Sequence, residues 1–189
     1  WPRWSLASLR SPLTVRPDTQ PTTVAEQRAL AAQGDAGAQF GVGYSYWVGQ
    51  RGLHEDTEAG RWFRRAADQG HADAQFYLGV MYREGQRATQ DADKAADWFR
   101  RAADQGHASA QFQLGALYDA GEGVRQDGAE AIRWYLRADE QGLTEAQYTL
   151  DLMYAQGRRP PKDRTTAARW HQRAAEQGHA DAQFHLGTL

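Results

Sequence analysis

The chain contains no cysteine among its 189 residues. That absence excludes a disulfide framework, a thiolate metal site, a cysteine nucleophile and a lipid-modified cysteine anchor. It fits cytosol and periplasm equally. No apolar run approaches the roughly 18 residues that a membrane helix requires. Serine is scarce: Ser5, Ser8, Ser11, Ser45 and Ser109 are all there are, and none stands in a nucleophile-elbow context. Neither charge sign dominates, with 22 Lys and Arg against 24 Asp and Glu giving a net charge of −2. A basic footprint for nucleic acid is therefore lacking. Proline is nearly confined to one end, with Pro2, Pro12, Pro17 and Pro21 making four of the six. Residues 1–21 thus read as an extended, proline-rich N-terminal extension, carrying Trp1 and Trp4 as candidates to dock on the rest of the chain. A start at Trp1 rather than Met fits a processed chain, removal of a secretory signal being one route, or a sequence with an upstream segment left out.

What the chain does have is repetition. The stretch from Arg65 to Gly79 returns with few changes at 101–115 and again at 173–187, and Gln-Gly pairs end at Gly34, Gly70, Gly106, Gly142 and Gly178. Each interval is 36 residues. A fixed period in that range defines a solenoid of stacked supersecondary units. The boundaries read as a capping helix at 22–34, repeats at 35–70, 71–106, 107–142 and 143–178, and a partial repeat at 179–189. Residues 22–189 therefore form one solenoid.

Each repeat carries two helical patterns. In the first, Ala74, Leu78 and Tyr82 fall on one face; in the second, Ala95, Trp98, Phe99 and Ala102 do. Neither stripe is buried until the helices pair antiparallel and stack on their neighbours, so the fold class is all-α. The Gln-Gly glycines end the second helices and Gly49, Gly85, Gly121 and Gly157 the first, where a left-handed residue suits glycine. Gly43, Gly79, Gly115 and Gly187 fall inside first helices at a cost of roughly 1 kcal/mol each relative to Ala, which points to close helix crossings. Glu55, Asp91, Asp127 and Asp163 precede the second helices, suiting an N-cap or first-turn role, and Asp127 with Glu130 has capping-box spacing.

The motifs Leu114-Gly-Ala-Leu-Tyr118 and Gly121-Glu-Gly-Val-Arg-Gln-Asp127, followed by an Ala-X-X-Trp-Tyr/Phe-X-X-Ala second helix, resemble the Sel1-like repeat, a bacterial relative of the tetratricopeptide repeat. The resemblance covers 22–189. It implies a right-handed superhelix whose first helices line a concave groove, and a non-catalytic adaptor role. By the same geometry Tyr44, Trp47, Val48, Phe76, Val80, Arg83, Glu84, Phe112 and Asp119 face that groove. Trp47 stands out, because its equivalents are Arg83, Asp119 and Ala155; an exposed Trp beside Arg is a typical interface anchor. The other reading is that Trp47 packs under the capping helix.

The fourth repeat departs most. Asp151 replaces a crossing glycine, where a nearby arginine must neutralise it or the junction loosens. Asp139 replaces an alanine, His171 replaces the second-helix aromatic, and Pro160-Pro161 stiffens a loop. His71, His107 and His179 each follow a helix-ending glycine, the first two one period apart; equivalent positions of successive repeats lie roughly 10 Å apart at helix-packing distances, too far to share a metal ion. No phosphate-binding glycine loop is present, and the acidic residues recur as caps rather than as a catalytic pair.

The function expected is non-enzymatic, with no catalytic residue, metal or cofactor. A protein partner binds in the groove. Among the roles that the resemblance implies is an immunity protein neutralising a secreted toxin such as a phospholipase effector, in the periplasm or cell envelope, with the cytoplasm left open. The alternative is an envelope or signalling scaffold that self-associates through its C-terminal end; a carbohydrate-envelope scaffold is a third class.

Overall fold

The computed structural model describes residues 24–49, 57–84, 91–155 and 164–176. Expectations for the extension 1–21, Glu55, Asp163, Gly85, Gly157, Gly178, Gly187, Pro160-Pro161, His179 and the partial repeat 179–189 lie outside the described residues. Among those described, all regular structure is helical: α1 (Val24–Ala32), α2 (Ala36–Gly49), α3 (Glu58–Asp68), α4 (Ala72–Glu84), α5 (Ala92–Asp104), α6 (Ala108–Ala120), α7 (Gly128–Asp139), α8 (Thr144–Ala155) and α9 (Arg164–Glu176). Helices α2, α4, α6 and α8 are the first helices of four repeats, and α3, α5, α7 and α9 are their second helices. Each packs against its neighbours in chain order; in the first three repeats the pair inside a repeat is the tightest association, whereas α8 and α9 are only loosely associated. The result is an all-helical solenoid with a 36-residue unit.

The turns between repeats are identical because their chemistry is. At the end of α3, Gly70 N–H donates to Ala67 O at 2.9 Å and His71 N–H to Ala66 O at 3.1 Å. The same pair closes α5 at Gly106 and His107. This double bond to the last turn requires a left-handed residue, and Gly34, Gly70, Gly106 and Gly142 have φ of 101°, 91°, 88° and 80°. At the other end, Asp91 accepts from Lys94 N–H and Asp127 from Ala129 and Glu130 N–H, as expected of N-caps.

Three local expectations are corrected. The cap of α3 is Thr57, which accepts from Gly60 N–H, so this helix starts later than the Glu55 register. Only half the capping box forms at α7, since Glu130 turns to Arg133 at 2.8 Å and Asp127 N–H donates to Tyr118 O. Gly49 is the last residue of α2 and is not left-handed, whereas Gly121 is, with φ 74°.

Inside each of the first three repeats the two helices touch at a glycine. A Cβ on Gly43, Gly79 or Gly115 would lie 2.8, 2.6 or 2.9 Å from the ring of Phe63, Phe99 or Tyr135 respectively. The aromatic ring occupies the volume that a side chain would need. In the fourth repeat the register puts Asp151 and His171 on the two sides of that crossing; Asp151 is half-buried and His171 buried.

Between repeats the joint is polar. Gln75 is buried on α4, donates its Nε2 to Ala67 O of the preceding repeat at 3.2 Å, and accepts from Gln105 Nε2 of its own second helix at 2.7 Å. Gln39 and Gln69, then Gln111 and Gln141, repeat the arrangement. Second-helix tryptophans are covered from outside by arginines, with Trp98 held between Arg64 at 5.0 Å and Arg101 at 4.5 Å.

Substituting Gly79 by Ala gains helix propensity but forces a methyl group onto the Phe99 ring. We expect Gly79→Ala to destabilise by about 1–3 kcal/mol. Gly37→Ala, whose Cβ would meet nothing closer than Asp35 Oδ1 at 3.5 Å, should be neutral or stabilising by up to about 1 kcal/mol. Urea unfolding of both variants checks this, and equal effects would contradict the crossing account.

Candidate functional site

The first helices bury one flank against the second helices; on the other, outer flank α4 keeps no fully exposed residue, while α2 exposes Val48 and α8 exposes Tyr148 and Leu152. At the junction of the first two repeats this outer flank is aromatic. Trp47 and Tyr44 on α2 each approach Tyr77 on α4 edge-on, with ring centroids 5.7 Å apart. Trp47 also lies 6.3 Å from Phe63. It therefore packs toward the second repeat, not under α1, and stays half-buried. Val48, the next residue, is 64% exposed. Tyr77 was not among the residues that the sequence singled out. A signal exists, because its column reads Gly41, Tyr77, Gln113, Thr149 and Tyr77 is the only aromatic in it.

Beside this cluster stands a polar group from α4. Arg83 is half-buried, donates to Gln113 Oε1 on α6, and pairs with Glu84 at 3.0 Å. Its guanidinium is 5.9 Å from the Phe99 ring centre. Phe112 is half-buried with its ring 5.3 Å from Tyr135.

Three of the expected groove residues offer no surface. Phe76 is 4% exposed, Val80 0% and Asp119 5%. The reason at Phe76 is lateral: the imidazole of His107, from the next repeat, stacks on it at 4.7 Å. Val80 belongs to the same apolar cluster as Phe76 and Phe99. Tyr44, Trp47, Val48, Arg83, Glu84 and Phe112 keep accessible surface. Farther along the same flank, Tyr148 at 52% and Leu152 at 42% exposure project from α8. They occupy the columns of Phe76 and Val80 two repeats on, and were also missed.

The recurring histidines have a structural task. His107 Nδ1 accepts from Ala110 N–H at 3.1 Å, capping α6, while its Nε2 lies 3.1 Å from Asp73 Oδ1 on α4. His71 caps α4 in the same way through Ala74 N–H and stacks on Phe40 at 4.8 Å. Burial lowers the His71 pKa, against the opposing pull of Asp73 and Asp35. The bond from His107 lowers that of Asp73, against its burial. Burial, with Tyr44 alongside, raises the Tyr77 phenol well above the ordinary tyrosine range. Among the described residues no group of three or more His, Asp or Glu is arranged to hold a metal ion, and no helix there is long and apolar enough to cross a membrane.

A stack of helical hairpins with one solvent-facing flank defines an α-solenoid scaffold. The Sel1 repeat model matches residues 36–71, 72–107, 108–143 and 144–179, and the chain belongs to the Sel1 repeat family. No curated protein sequence matches significantly. Among solved structures, it is similar to a protective antigen of uropathogenic Escherichia coli strains with an SLR fold, at 36% identity and TM-score 0.68. That match covers 89% of this chain but only 36% of the antigen. A Sel1 repeat protein from Oxalobacter formigenes is similar at 34% identity and TM-score 0.64, covering 86% of this chain and 70% of that one. Sel1 repeats typically serve as non-enzymatic scaffolds for interaction with other proteins.

The two depressed pKa values have one sign in stability. His71 binds a proton less readily folded than unfolded, so its contribution is complete above the ordinary value of 6.5 and is lost as pH falls through its lower folded value. Asp73 adds a second loss below 3.8. The melting temperature should therefore fall between pH 7.5 and 5. In His71→Asn, which keeps an N-cap acceptor, that fall should be shallower. Identical pH profiles for the two proteins would contradict the assignment.

Proposed function

We propose that this chain is a non-enzymatic module that holds a protein partner on the outer flank of its first helices, centred on the junction of the first two repeats. The observation that carries the reading is the Tyr44–Trp47–Tyr77 cluster. Three large aromatics are pre-packed against each other yet retain surface, so little side-chain entropy remains to be lost on binding. Exposed Val48 extends the apolar contact, and the Arg83–Glu84 pair, held by Gln113, supplies a polar rim. Aromatic anchors with an arginine beside them are what energetic centres of interfaces contain.

In the finer form of the proposal the partner is a secreted toxin, such as a phospholipase effector, and the chain is its immunity protein in the periplasm or cell envelope. Family resemblance supports that form. A second reading, a scaffold that self-associates, rests on Tyr148 and Leu152, an exposed apolar pair one helical turn apart.

The test is capture from host lysate by the immobilised chain, identification by mass spectrometry, and affinity measurement with variants. We expect one stoichiometric protein, bound roughly thirtyfold more weakly by Trp47→Ala, a loss of about 2 kcal/mol. Val48→Asp is the companion variant, because a residue this exposed can be changed without disturbing the core. A toxin-like enzyme in the eluate establishes the immunity form, and capture of further copies of the chain establishes the scaffold reading. A partner bound unchanged by both variants refutes the proposed face.

A further inference from the structure

One feature of the third repeat is not used by that face. The α6–α7 loop, residues 121–127, borders with α5 an open depression of about 470 Å³ lined by Arg100, Tyr118, Val124, Arg125, Gln126 and Asp127. The loop is firmly held. Gln126 Nε2 donates to Asp119 O at 2.7 Å, Asp127 N–H to Tyr118 O at 2.9 Å, and Glu122 N–H to Leu117 O at 3.1 Å. Gly123, with φ 64°, lies so close to α5 that a Cβ there would sit 2.0 Å from Ala92 O. The depression is thus preformed.

Its charges are unbalanced. Arg100 donates to Tyr118 Oη at 2.7 Å, with its guanidinium 5.9 Å from that ring, and Arg125 is exposed. Neither has a carboxylate within ion-pair distance among the described residues. Arg64 makes the same contact with Tyr82 one repeat earlier, but no loop arginine equivalent to Arg125 is described beside it; Arg61, Arg83 and Arg133 each pair with a neighbouring glutamate. Asp127, the one acid in the lining, already accepts two backbone N–H bonds with Oδ1 as the cap of α7. Two guanidiniums against one carboxylate leave a single net positive charge in the depression. That balance suits a monoanion better than a phosphate dianion, which Asp127 would repel.

We propose that this depression is a second recognition site, separate from the aromatic face, which takes a carboxylate from an acidic peptide segment. Arg100 and Arg125 bind the carboxylate oxygens through charge-assisted bonds, the Tyr118 hydroxyl orients Arg100, and Val124 with the Tyr118 ring takes the apolar stem of the acidic side chain. The site does not depend on the aromatic face, so each can fail alone.

The experiment is titration of the full ¹⁵N-labelled chain with hexaglutamate at low salt, followed by NMR, alongside inorganic phosphate and hexalysine. We expect hexaglutamate to shift the amides of Gly121, Gly123 and Val124 and the Gln126 side-chain amide. Arg125→Gln should weaken that binding about tenfold, and Arg100→Gln with Arg125→Gln should abolish it. Unchanged chemical shifts of α2 and α4 show that the variants are folded. Three results overturn the proposal: no shift at the loop with hexaglutamate, equal shifts in the Arg125→Gln variant, or tighter binding of phosphate than of hexaglutamate. Trp47→Ala leaves this binding unchanged if the two sites are distinct.

Discussion

The stack depends on a buried carboxamide that recurs at the start of each of the first three repeats. Gln75 reaches back to a carbonyl at the end of α3 and is held by Gln105 from α5, so a single side chain ties three helices across a repeat boundary. Buried and paired on both sides, it specifies register in a way that apolar contacts alone do not. Removing it would leave Ala67 O without this donor, in an environment where an unpaired polar group costs about 1–3 kcal/mol. Solenoid stability is a sum of repeat and interface contributions, so the same joint repeated at Gln39 and Gln111 sets the cooperativity of the first three repeats.

The glycine crossings complement this joint. They set how closely first and second helices approach, and the rings of Phe63, Phe99 and Tyr135 occupy the space the glycines leave. With one flank of each first helix so committed, what remains for function is the partly exposed surface on the opposite flank. What it offers varies along the stack. Aromatic residues gather between α2 and α4, an arginine–glutamate pair tied to a glutamine follows between α4 and α6, and apolar residues project from α8. A regular scaffold thus presents an irregular surface, which is how a repeat protein acquires a specific partner.

The period, the helix pairing, the left-handed glycines at 34, 70, 106 and 142 and the crossing glycines at 43, 79 and 115 were legible in the sequence, because each repeats in register and each has one physical cause. The outer flank was less legible. Tyr44, Trp47, Val48, Arg83, Glu84 and Phe112 keep surface as the helical geometry implies. Phe76 does not, because a histidine from the following repeat covers it, and a column-by-column reading sees no contact between columns of different repeats. The same blindness hid Tyr77, which joins Tyr44 to Trp47 across two helices. It also separated Asp151 from His171: read singly they are two defects, but in the register of the crossing they replace both sides of one contact. The histidines illustrate the remaining gap, since their role as helix caps rests on a side-chain nitrogen meeting a backbone N–H three residues on.

The central claim is that the flank formed by the first helices receives the protein partner. Hydrogen–deuterium exchange of the chain, alone and saturated with the protein it captures, tests it most directly. Slower exchange confined to residues 40–48 and 76–84, with the second helix at 92–104 unchanged, is the result the account predicts. Protection concentrated in the second helices, with 40–48 unaffected, would contradict it.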